Sequence, residues 1–497
     1  MTTMLILLAA LLPIRGTVRD ARGEALPGVT VFVKGSQQSV ITDANGAFEL
    51  VPDTAPATLV AYLGGFQPAE VAALPGAQLD LRLGLAVTET MTVTAAADRD
   101  VPMSTWTRRP LDIVRTPGAQ GDVFRALQTL PGVARADDGA GLFVRGGDVS
   151  EVRVLLDGTT IAHPYRYETP SGGQAGSVEP FLLEGIAFST GGFSARYGNA
   201  LSAIVDLRGL GRPSSTALTA TIGLAGASLR AAMPGGARSG MRASGNMRFP
   251  RLLFAVNGAP REFDRYPDGW DLNASFHHDS PRLGTLKIFA MEQRTGVGVR
   301  LERESFDGFL HAESSHGVVA ASWKNHLAGW QMSSALGADR YSNRTDAGVL
   351  DLRNEDLRLS WRLDLSRLLG TFIVRTGVDA DRARQDITGR TSIRGGDYGG
   401  VSGSRDFDVD YRDWHVGLHA EVERTFGRVT PTLGARVDRS QRSGTWLDPR
   451  LNVTVALRAH EQLRFAWGIY HQAPASAYFD VGRASARLDG LKPALRS

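Results

Sequence analysis

The second half of the chain alternates apolar and polar residues with a period of two, and this pattern constrains the fold most. Between Leu357 and Leu365 every second residue is Leu or Trp, and the residues between them are Arg, Ser or Asp. Segments 451–458 and 463–470 repeat the alternation. Because successive side chains of a strand point to opposite faces, the pattern predicts about thirteen strands after Thr216, each with one apolar and one polar face.

The connections between these strands separate two kinds of fold. A soluble β-sandwich would show the same alternation, but it has no reason to sort its loops by length. Long connections rich in charge, glycine and aromatics are expected at 250–269, 294–311, 344–355 and 387–412. Tight turns alternate with them, at 234–236, 281–284, 328–329, 368–370, 426–427 and 460–462. Short turns on one side and long loops on the other are typical of an outer-membrane barrel, so we predict a partial antiparallel transmembrane β-barrel.

Composition excludes several classes of function. The 497 residues include 57 glycines and no cysteine, which rules out disulfides, thiolate metal sites and a cysteine nucleophile. A net charge of +3 gives no electrostatic argument for nucleic acid. No window reaches the roughly 18 apolar residues of a membrane-spanning helix. No Gly-x-Ser-x-Gly elbow in a strand-to-helix context and no His-Glu-x-x-His motif occurs, so we expect no enzyme activity and no catalytic, cofactor or metal site.

The first 84 residues predict a leader and a small domain. Residues 1–13 contain a short apolar run that suits a secretory signal peptide, although an apolar first strand is the alternative. Residues 14–84 alternate strand-like segments with turn clusters and predict a β-sandwich. Asp43 and Asn45 are better explained by a turn than by calcium binding, because calcium needs six or more oxygen ligands.

Residues 108–212 predict a compact α/β domain. A helix is expected over 122–130, because Val123, Ala126 and Leu127 share one face and Pro131 ends it. Two short apolar strands flank Asp157-Gly158, a dipeptide that accepts the positive φ angles of a type I′ hairpin turn.

The order of motifs in this domain resembles the plug of TonB-dependent outer-membrane receptors, in the subclass with a carboxypeptidase-regulatory-like N-terminal domain. The motifs are Leu130-Pro131-Gly132-Val133, Arg145-Gly146-Gly147, Leu155-Leu156-Asp157-Gly158 and a run from Gly191 to Ser202 that contains Arg196-Tyr197-Gly198. The resemblance implies a mainly β protein with an N-terminal β-sandwich, an α/β plug and a barrel over 213–497. It also implies a location in the outer membrane of a Gram-negative-type bacterium.

The resemblance further implies active uptake of a ligand, with the inner-membrane TonB complex and outer-membrane lipid as partners. Residues 85–107 form a linker that contains a TonB-box-like segment, in which we single out Glu89, Thr90, Val93, Thr94 and Ala95. Such a segment binds by adding a strand to a partner sheet, although it also suits an ordinary strand that leads into the plug. The long loops carry no recognisable motif, so a siderophore, vitamin, oligosaccharide or peptide ligand is compatible with the sequence.

The plug motif residues are expected to serve plug folding and plug–barrel contacts; they are Arg145, Gly146, Gly147, Asp157, Gly158, Arg196, Tyr197 and Gly198. In particular, we predict that Arg196 pairs with a carboxylate of the barrel interior such as Asp364.

The strand count departs from the 22 strands of a family barrel. Thirteen strands would close to a diameter of roughly 26 Å, too narrow for a plug roughly 34 Å across. We therefore expect an incomplete receptor, with an open or strained sheet wrapped partway round the plug. Two alternatives remain, a structural or adhesion protein that binds a surface polymer and a non-functional receptor fragment.

Overall fold

The computed structural model describes most of the chain. The described residues are 12–20, 23–33, 38–52, 56–63, 69–83, 105–108, 110–135, 139–168, 173–259, 261–458, 461–474 and 494–496. Nearly all of the predicted signal peptide and the whole TonB-box-like segment lie outside them. Within the described ranges, no helix has both the length and the apolar character needed to cross a bilayer.

Seven strands form the N-terminal domain. They are β1 (Ile14–Asp20), β2 (Thr30–Val33), β3 (Ser39–Ile41), β4 (Ala47–Leu50), β5 (Ala57–Tyr62), β6 (Ala69–Ala73) and β7 (Gln78–Leu83). Two sheets, ordered β4-β1-β7 and β3-β2-β5-β6, share one apolar core, which confirms the predicted β-sandwich. The Asp43 carboxylate accepts backbone N–H groups of Asn45 (2.9 Å) and Ala47 (2.8 Å). These bonds close the turn that was preferred to a calcium site.

The central domain is built on a five-stranded sheet of order β12-β11-β16-β15-β8. Its strands are β8 (Thr105–Arg108), β9 (Val133–Ala134), β10 (Phe143–Val144), β11 (Val152–Leu156), β12 (Thr159–Ile161), β13 (Tyr165–Arg166), β14 (Ala175–Gly176), β15 (Leu183–Ser189) and β16 (Ala203–Gly209). Strands β11 and β16 run parallel. Strand β8 is an edge strand that pairs only with β15 in this sheet.

Two short helices, Pro110–Val114 and Val123–Leu127, pack on the central domain. The second is shorter than the predicted 122–130, because the chain continues as turns from Gln128. Its N-terminus is capped by Asp122, whose Oδ1 accepts the N–H of Phe124 at 2.9 Å. Its buried side chains include the expected Val123, Ala126 and Leu127, and Phe124 is buried as well. Between β11 and β12, Asp157 (φ 48°) and Gly158 (φ 91°) form the predicted type I′ turn.

Thirteen strands form one large antiparallel sheet in which each strand pairs with the next along the chain, as predicted. They are β17 (Ala217–Gly223), β18 (Gly226–Gly235), β19 (Ser239–Arg248), β20 (Phe263–Ser280), β21 (Gly284–Arg303), β22 (Phe306–Leu327), β23 (Trp330–Ala347), β24 (Leu350–Leu369), β25 (Phe372–Ser392), β26 (Ser404–Arg424), β27 (Val429–Ser440), β28 (Gly444–Arg458) and β29 (Glu461–Gly468). A helix, Arg251–Asn257, precedes β20, and a separate pair follows, β30 (Tyr470–Gln472) and β31 (Ala494–Arg496). Among the described strands, β17 and β29 each pair with a single neighbour.

The large sheet exposes its apolar face and buries its charged face. Along β26, exposed Trp414, Val416 and Leu418 alternate with buried His415 and Glu421. Water would favour the opposite arrangement, because burying a charge is costly unless it is paired. The exposed face is therefore suited to lipid, and the buried face lies against the central domain. The alternative in which two apolar faces meet in a soluble sandwich does not describe this sheet.

Two of the predicted long loops are wrong. Only residues 304–305 separate β21 from β22, and only residues 348–349 separate β23 from β24. The strands continue instead, up to 22 residues in β22. Beyond the apolar band both faces meet water, so the alternation disappears while cross-strand ion pairs such as Arg300–Asp307 (2.9 Å) remain. Residues 393–403 do form a loop.

Candidate functional site

The interface between the central domain and the buried face of the large sheet, called the wall below, is the candidate functional site. Charged and polar side chains cross it from β18 to β28, and several central-domain backbone groups take part.

Arg153 on β11 carries a charge from the central domain into the wall. Its Nη2 lies 2.8 Å from Oδ2 of Asp381 on β25 and also donates to Thr160 Oγ1 at 2.9 Å. Its Nη1 donates to the carbonyl of Gly198 at 2.8 Å. One buried guanidinium therefore joins the hairpin, the Arg196-Tyr197-Gly198 motif and the wall.

Gly198 lies against a wall arginine that has no exposed surface. Arg436 on β27 is held by Asp379 (Nη1–Oδ1 2.7 Å) and Asp438 (Nη2–Oδ1 2.6 Å). A Cβ at Gly198 would lie 2.0 Å from Arg436 Nε, so only glycine allows this approach. The glycine predicted as a motif residue thus lets the plug backbone lie directly on a buried ion cluster.

Arg196 makes the predicted contact with the wall. Its Nη2 lies 3.0 Å from Oδ2 of Asp364 on β24, and its Nε donates to the same oxygen at 3.1 Å. Tyr197 is buried beside it, with the guanidinium of Arg362 5.6 Å from its ring centroid. Burial raises the pKa of Tyr197 to about 12, so its hydroxyl stays protonated and donates to Asp206 Oδ2 at 3.3 Å.

Two further wall side chains form hydrogen bonds with the backbone on both sides of Arg196. Arg450 on β28 donates through Nη1 to the carbonyls of Tyr197 (2.7 Å) and Ser194. Glu421 on β26 accepts the Ser194 hydroxyl at 2.8 Å and the Ala195 N–H. Backbone groups at a buried interface need partners, and here the wall supplies them.

His163, which follows β12, forms a second ionic contact. Its Nε2 lies 3.1 Å from Oδ2 of Asp356 on β24, its Nδ1 lies 2.7 Å from Oε2 of Glu168, and its ring stacks on Tyr341 at 4.1 Å. Burial lowers the pKa of His163, but Glu168 and Asp356 outweigh burial and raise it to about 10. The imidazolium is therefore charged at neutral pH.

Contacts with the early wall strands β18 to β21 complete the interface. Arg166 donates to Gln293 Oε1 at 2.8 Å and lies 3.1 Å from Asp271 Oδ1. Glu179 accepts from Asn246 at 3.2 Å and pairs with Arg230. The central domain is thus held by both early and late strands of the sheet.

The remaining motif residues shape the central domain itself. Arg145 (φ 50°) and Gly146 (φ 77°) form a left-handed turn. A Cβ at Gly147 would lie 1.8 Å from Ser202 Oγ, which requires glycine. Asp157 accepts the N–H of Gly209 at 3.2 Å, and Gly158 faces Ala335 of the wall.

Two groups of described residues have the spacing of a cation site. In the first, Asp379 and Asp381 with His415, the carboxylates already neutralise Arg436 and Arg153. In the second, Asp20 and Glu24 of the N-terminal domain lie near His326 of β22. The first group is better explained as part of the ionic interface.

The sequence analysis identified Asp364 on the wall side of this interface but missed the other wall residues and, within the plug, Arg153, His163 and Arg166. A signal was present, because Arg436 and Asp438 on β27 occupy the same face at a spacing of two, as do Asp448 and Arg450 on β28. Opposite charges repeated on the polar face of a predicted barrel strand indicate a buried ionic surface rather than a water-filled one.

Comparisons with known proteins agree with this geometry. Residues 14–92 match the family model of the CarboxypepD_reg-like domain, and residues 97–204 match that of the TonB-dependent Receptor Plug Domain. A comparison with curated protein sequences finds no significant match.

Three solved structures illustrate the similarity in fold. A variant of the ferric enterobactin receptor PfeA from Pseudomonas aeruginosa has 17% identity and a TM-score of 0.56, over 78% of this chain and 64% of that chain. The siderophore receptor PirA from Acinetobacter baumannii has 15% identity and a TM-score of 0.55, over 77% and 63%. The outer membrane transporter YddB from Escherichia coli has 12% identity and a TM-score of 0.55, over 78% and 63%. The chain thus covers slightly less than two thirds of these proteins.

The chain therefore combines an ion-paired α/β plug with an antiparallel sheet whose polar face is turned to the plug and whose apolar face is turned outward, the same arrangement of fold as in these structures. Residues 14–92 and 97–204 thus carry these two domains, and the fold of the chain is similar to that of the receptors and the transporter compared here. These matches are to receptors and a transporter rather than to enzymes.

Proposed function

We propose that this protein is a TonB-dependent receptor of the outer membrane of a Gram-negative-type bacterium, and that it takes up a ligand with energy supplied through TonB. The observation that carries the proposal is the plug held against the wall by buried ion pairs, in a sheet whose outer face suits lipid. Such a plug closes the path through the wall until it is rearranged. The sequence matches of the first two domains support the same function.

The proposal assigns the TonB contact to Glu89–Ala95, which lies outside the described residues. This segment precedes β8, the edge strand of the plug sheet, which pairs with β15 over only four residues. A pull on the linker would therefore act first on this short edge strand, whereas Arg153 lies on β11, next to the opposite edge of the same sheet.

Strand addition by this segment can be tested by a single backbone change. Val93→Pro removes one N–H and fixes φ, so it should weaken binding to the purified periplasmic domain of TonB at least about tenfold. Val93→Ile keeps the N–H and the β preference and is the matched control. Binding is measured by biolayer interferometry with the full-length receptor in detergent.

The Val93→Pro and Val93→Ile variants should also differ in vivo. Cells that depend on this receptor for a supplied ferric siderophore, used here as the probe, should lose uptake with Val93→Pro and keep it with Val93→Ile. Equal TonB binding by both variants would reject the assignment of the segment. Adhesion to a surface polymer that is the same in both variants, without any energised uptake, would favour the structural or adhesion function instead.

A further inference from the structure

A groove of about 660 Å³ lies on the outward face of β24–β27, away from the plug. Apolar side chains of Leu357, Leu359 and Trp414 line one part of it. Three exposed arginines line the other part, and they are Arg382, Arg384 and Arg412.

Strand register places these arginines at the limit of the apolar band on the side of the loop 393–403. Leu359, Arg382 and Trp414 form one row across three strands, and the row above it contains Leu357, Arg384 and Arg412. On the apolar side of these two rows lies the row of Trp361, Ala380 and Val416. On their other side lies the row of Glu355, Asp386 and Asp410. The groove therefore lies where apolar side chains give way to charged ones, the level at which lipid headgroups meet a barrel and exposed Trp side chains are enriched.

Arg384 and Arg412 are direct cross-strand partners. Like charges in this position destabilise a sheet unless an anion lies between them. Each arginine has one carboxylate on its own strand, with Arg384 Nε 3.0 Å from Asp386 Oδ2 and Arg412 Nη2 2.8 Å from Asp410 Oδ2. Both carboxylates belong to the row farther from the apolar band, so the side that faces the band has no counter-charge from them.

Arg382 adds a third guanidinium to the groove. It makes no hydrogen bond or ion pair with any residue that the structure describes. The three guanidinium groups are thus paired with only two carboxylates, because the other acid of the lining, Asp413, accepts the hydroxyls of Tyr411 and Ser440. N–H donors of the arginines therefore remain for a ligand. A guanidinium binds phosphate oxygens through two parallel hydrogen bonds, which makes arginine well suited to a phosphate ligand.

We propose that this groove binds the phosphate-bearing headgroup of an anionic membrane lipid. The phosphate lies between Arg384 and Arg412 within reach of Arg382, and an acyl chain packs along Leu357, Leu359 and Trp414. The site rests on the outer-membrane location given above, but it has no part in TonB binding or in ligand uptake.

The test uses the purified full chain in zwitterionic detergent at low salt, with short-chain phosphatidylglycerol as the probe and native mass spectrometry as the readout. The variant Arg382→Gln/Arg384→Gln removes two charges from β25. It should weaken phosphatidylglycerol binding by about 30-fold. Each basic side chain near an anionic lipid changes the affinity by roughly five- to sixfold, and the two factors multiply.

The matched control is Arg353→Gln/Arg390→Gln. These arginines are also exposed on β24 and β25, but Arg353 lies two rows and Arg390 three rows farther from the apolar band than Arg384. Like the tested pair, they comprise one ion-paired arginine, Arg390 with Asp406 at 2.7 Å, and one without such a partner among the described residues. The control should change binding by less than about threefold, because exposed charges farther away than a Debye length are screened. Circular dichroism verifies that both variants are folded. If the Arg382→Gln/Arg384→Gln double variant does not fold, Arg382→Gln alone replaces it, with an expected weakening of about fivefold.

Four outcomes would overturn the proposal. Equal weakening by both double variants would mean that only net charge matters, and unchanged binding in both would mean that the groove is not used. Phosphatidylcholine that binds as tightly as phosphatidylglycerol, or inorganic phosphate that displaces the lipid at equal concentration, would show that an anionic lipid is not the ligand recognised. None of these measurements involves TonB, so a failure of the Val93→Pro experiment would leave them unaffected.

Discussion

Replacing Gly198 by alanine tests whether the plug depends on direct contact between its backbone and the buried wall arginine. The added Cβ would lie 2.0 Å from Nε and 2.3 Å from Cζ of Arg436, well inside van der Waals contact. Arg436 is not free to move, because Asp379 and Asp438 hold it and it has no exposed surface. Either the guanidinium leaves its carboxylates or the motif backbone leaves the wall.

Both responses break buried ionic or hydrogen-bonded contacts, including the bond from Arg153 to the Gly198 carbonyl. Breaking a buried ion pair typically costs about 3 to 5 kcal/mol, so we expect a loss of about 3 kcal/mol. For a chain of 497 residues this corresponds to a melting midpoint lower by roughly 3 °C. Thermal unfolding in detergent, followed by near-ultraviolet circular dichroism, measures the change. The control is Gly395→Ala, where an added Cβ meets nothing within 4 Å.

A double-mutant cycle makes the reasoning refutable. In an Arg436→Met background the guanidinium is absent, so Gly198→Ala should cost less than about 1 kcal/mol. If the two substitutions instead add independently, or if Gly198→Ala melts at the same temperature as Gly395→Ala, the proposed contact does not determine plug stability.

Three further predictions concern the same interface and the outer face. The folded-state pKa of His163, about 10, lies above its ordinary value of 6.5, so the stabilisation by its ion pairs is complete below about pH 6.5 and is lost as the pH rises through about 10. The His163→Gln variant should therefore show a smaller fall in melting temperature at alkaline pH than the unchanged protein. Identical pH profiles of the two proteins would contradict this. Arg196→Gln and Asp364→Asn should each loosen the plug, with a coupling of about 1 kcal/mol in a double-mutant cycle of unfolding, and additivity would show that their 3.0 Å contact is energetically silent. Leu418→Arg, on the outer face, should reduce folding into lipid vesicles by about 2 to 4 kcal/mol, whereas Val401→Arg in an exposed loop should not, and equal refolding yields would argue against a lipid-facing surface.

The sequence was most informative where local chemistry decides the structure. The Asp157-Gly158 dipeptide predicted its turn type, because few other residues accept two successive positive φ angles. Alternation predicted thirteen strands, because burial on one face and lipid on the other impose a period of two. The Arg196–Asp364 pair was predicted from the expectation that a plug arginine meets a polar wall.

Long-range pairing explains what the sequence did not reveal. Arg153 and Asp381 are 228 positions apart, so no local pattern indicates that they meet. The lengths of the outer hairpins were missed for a different reason. Beyond the apolar band both faces of the strands β21 and β22 meet water, and alternation then no longer distinguishes a strand from a loop.

The inward charges of the wall have a consequence for biogenesis. Arg450 donates to carbonyl oxygens that belong to the plug, so a wall without the plug would leave a buried cation facing an empty interior. The wall therefore needs its plug, or water in its place, before its late strands reach their final positions. We expect the two parts to mature together, with the earlier-synthesised plug acting as a template on which the later strands settle.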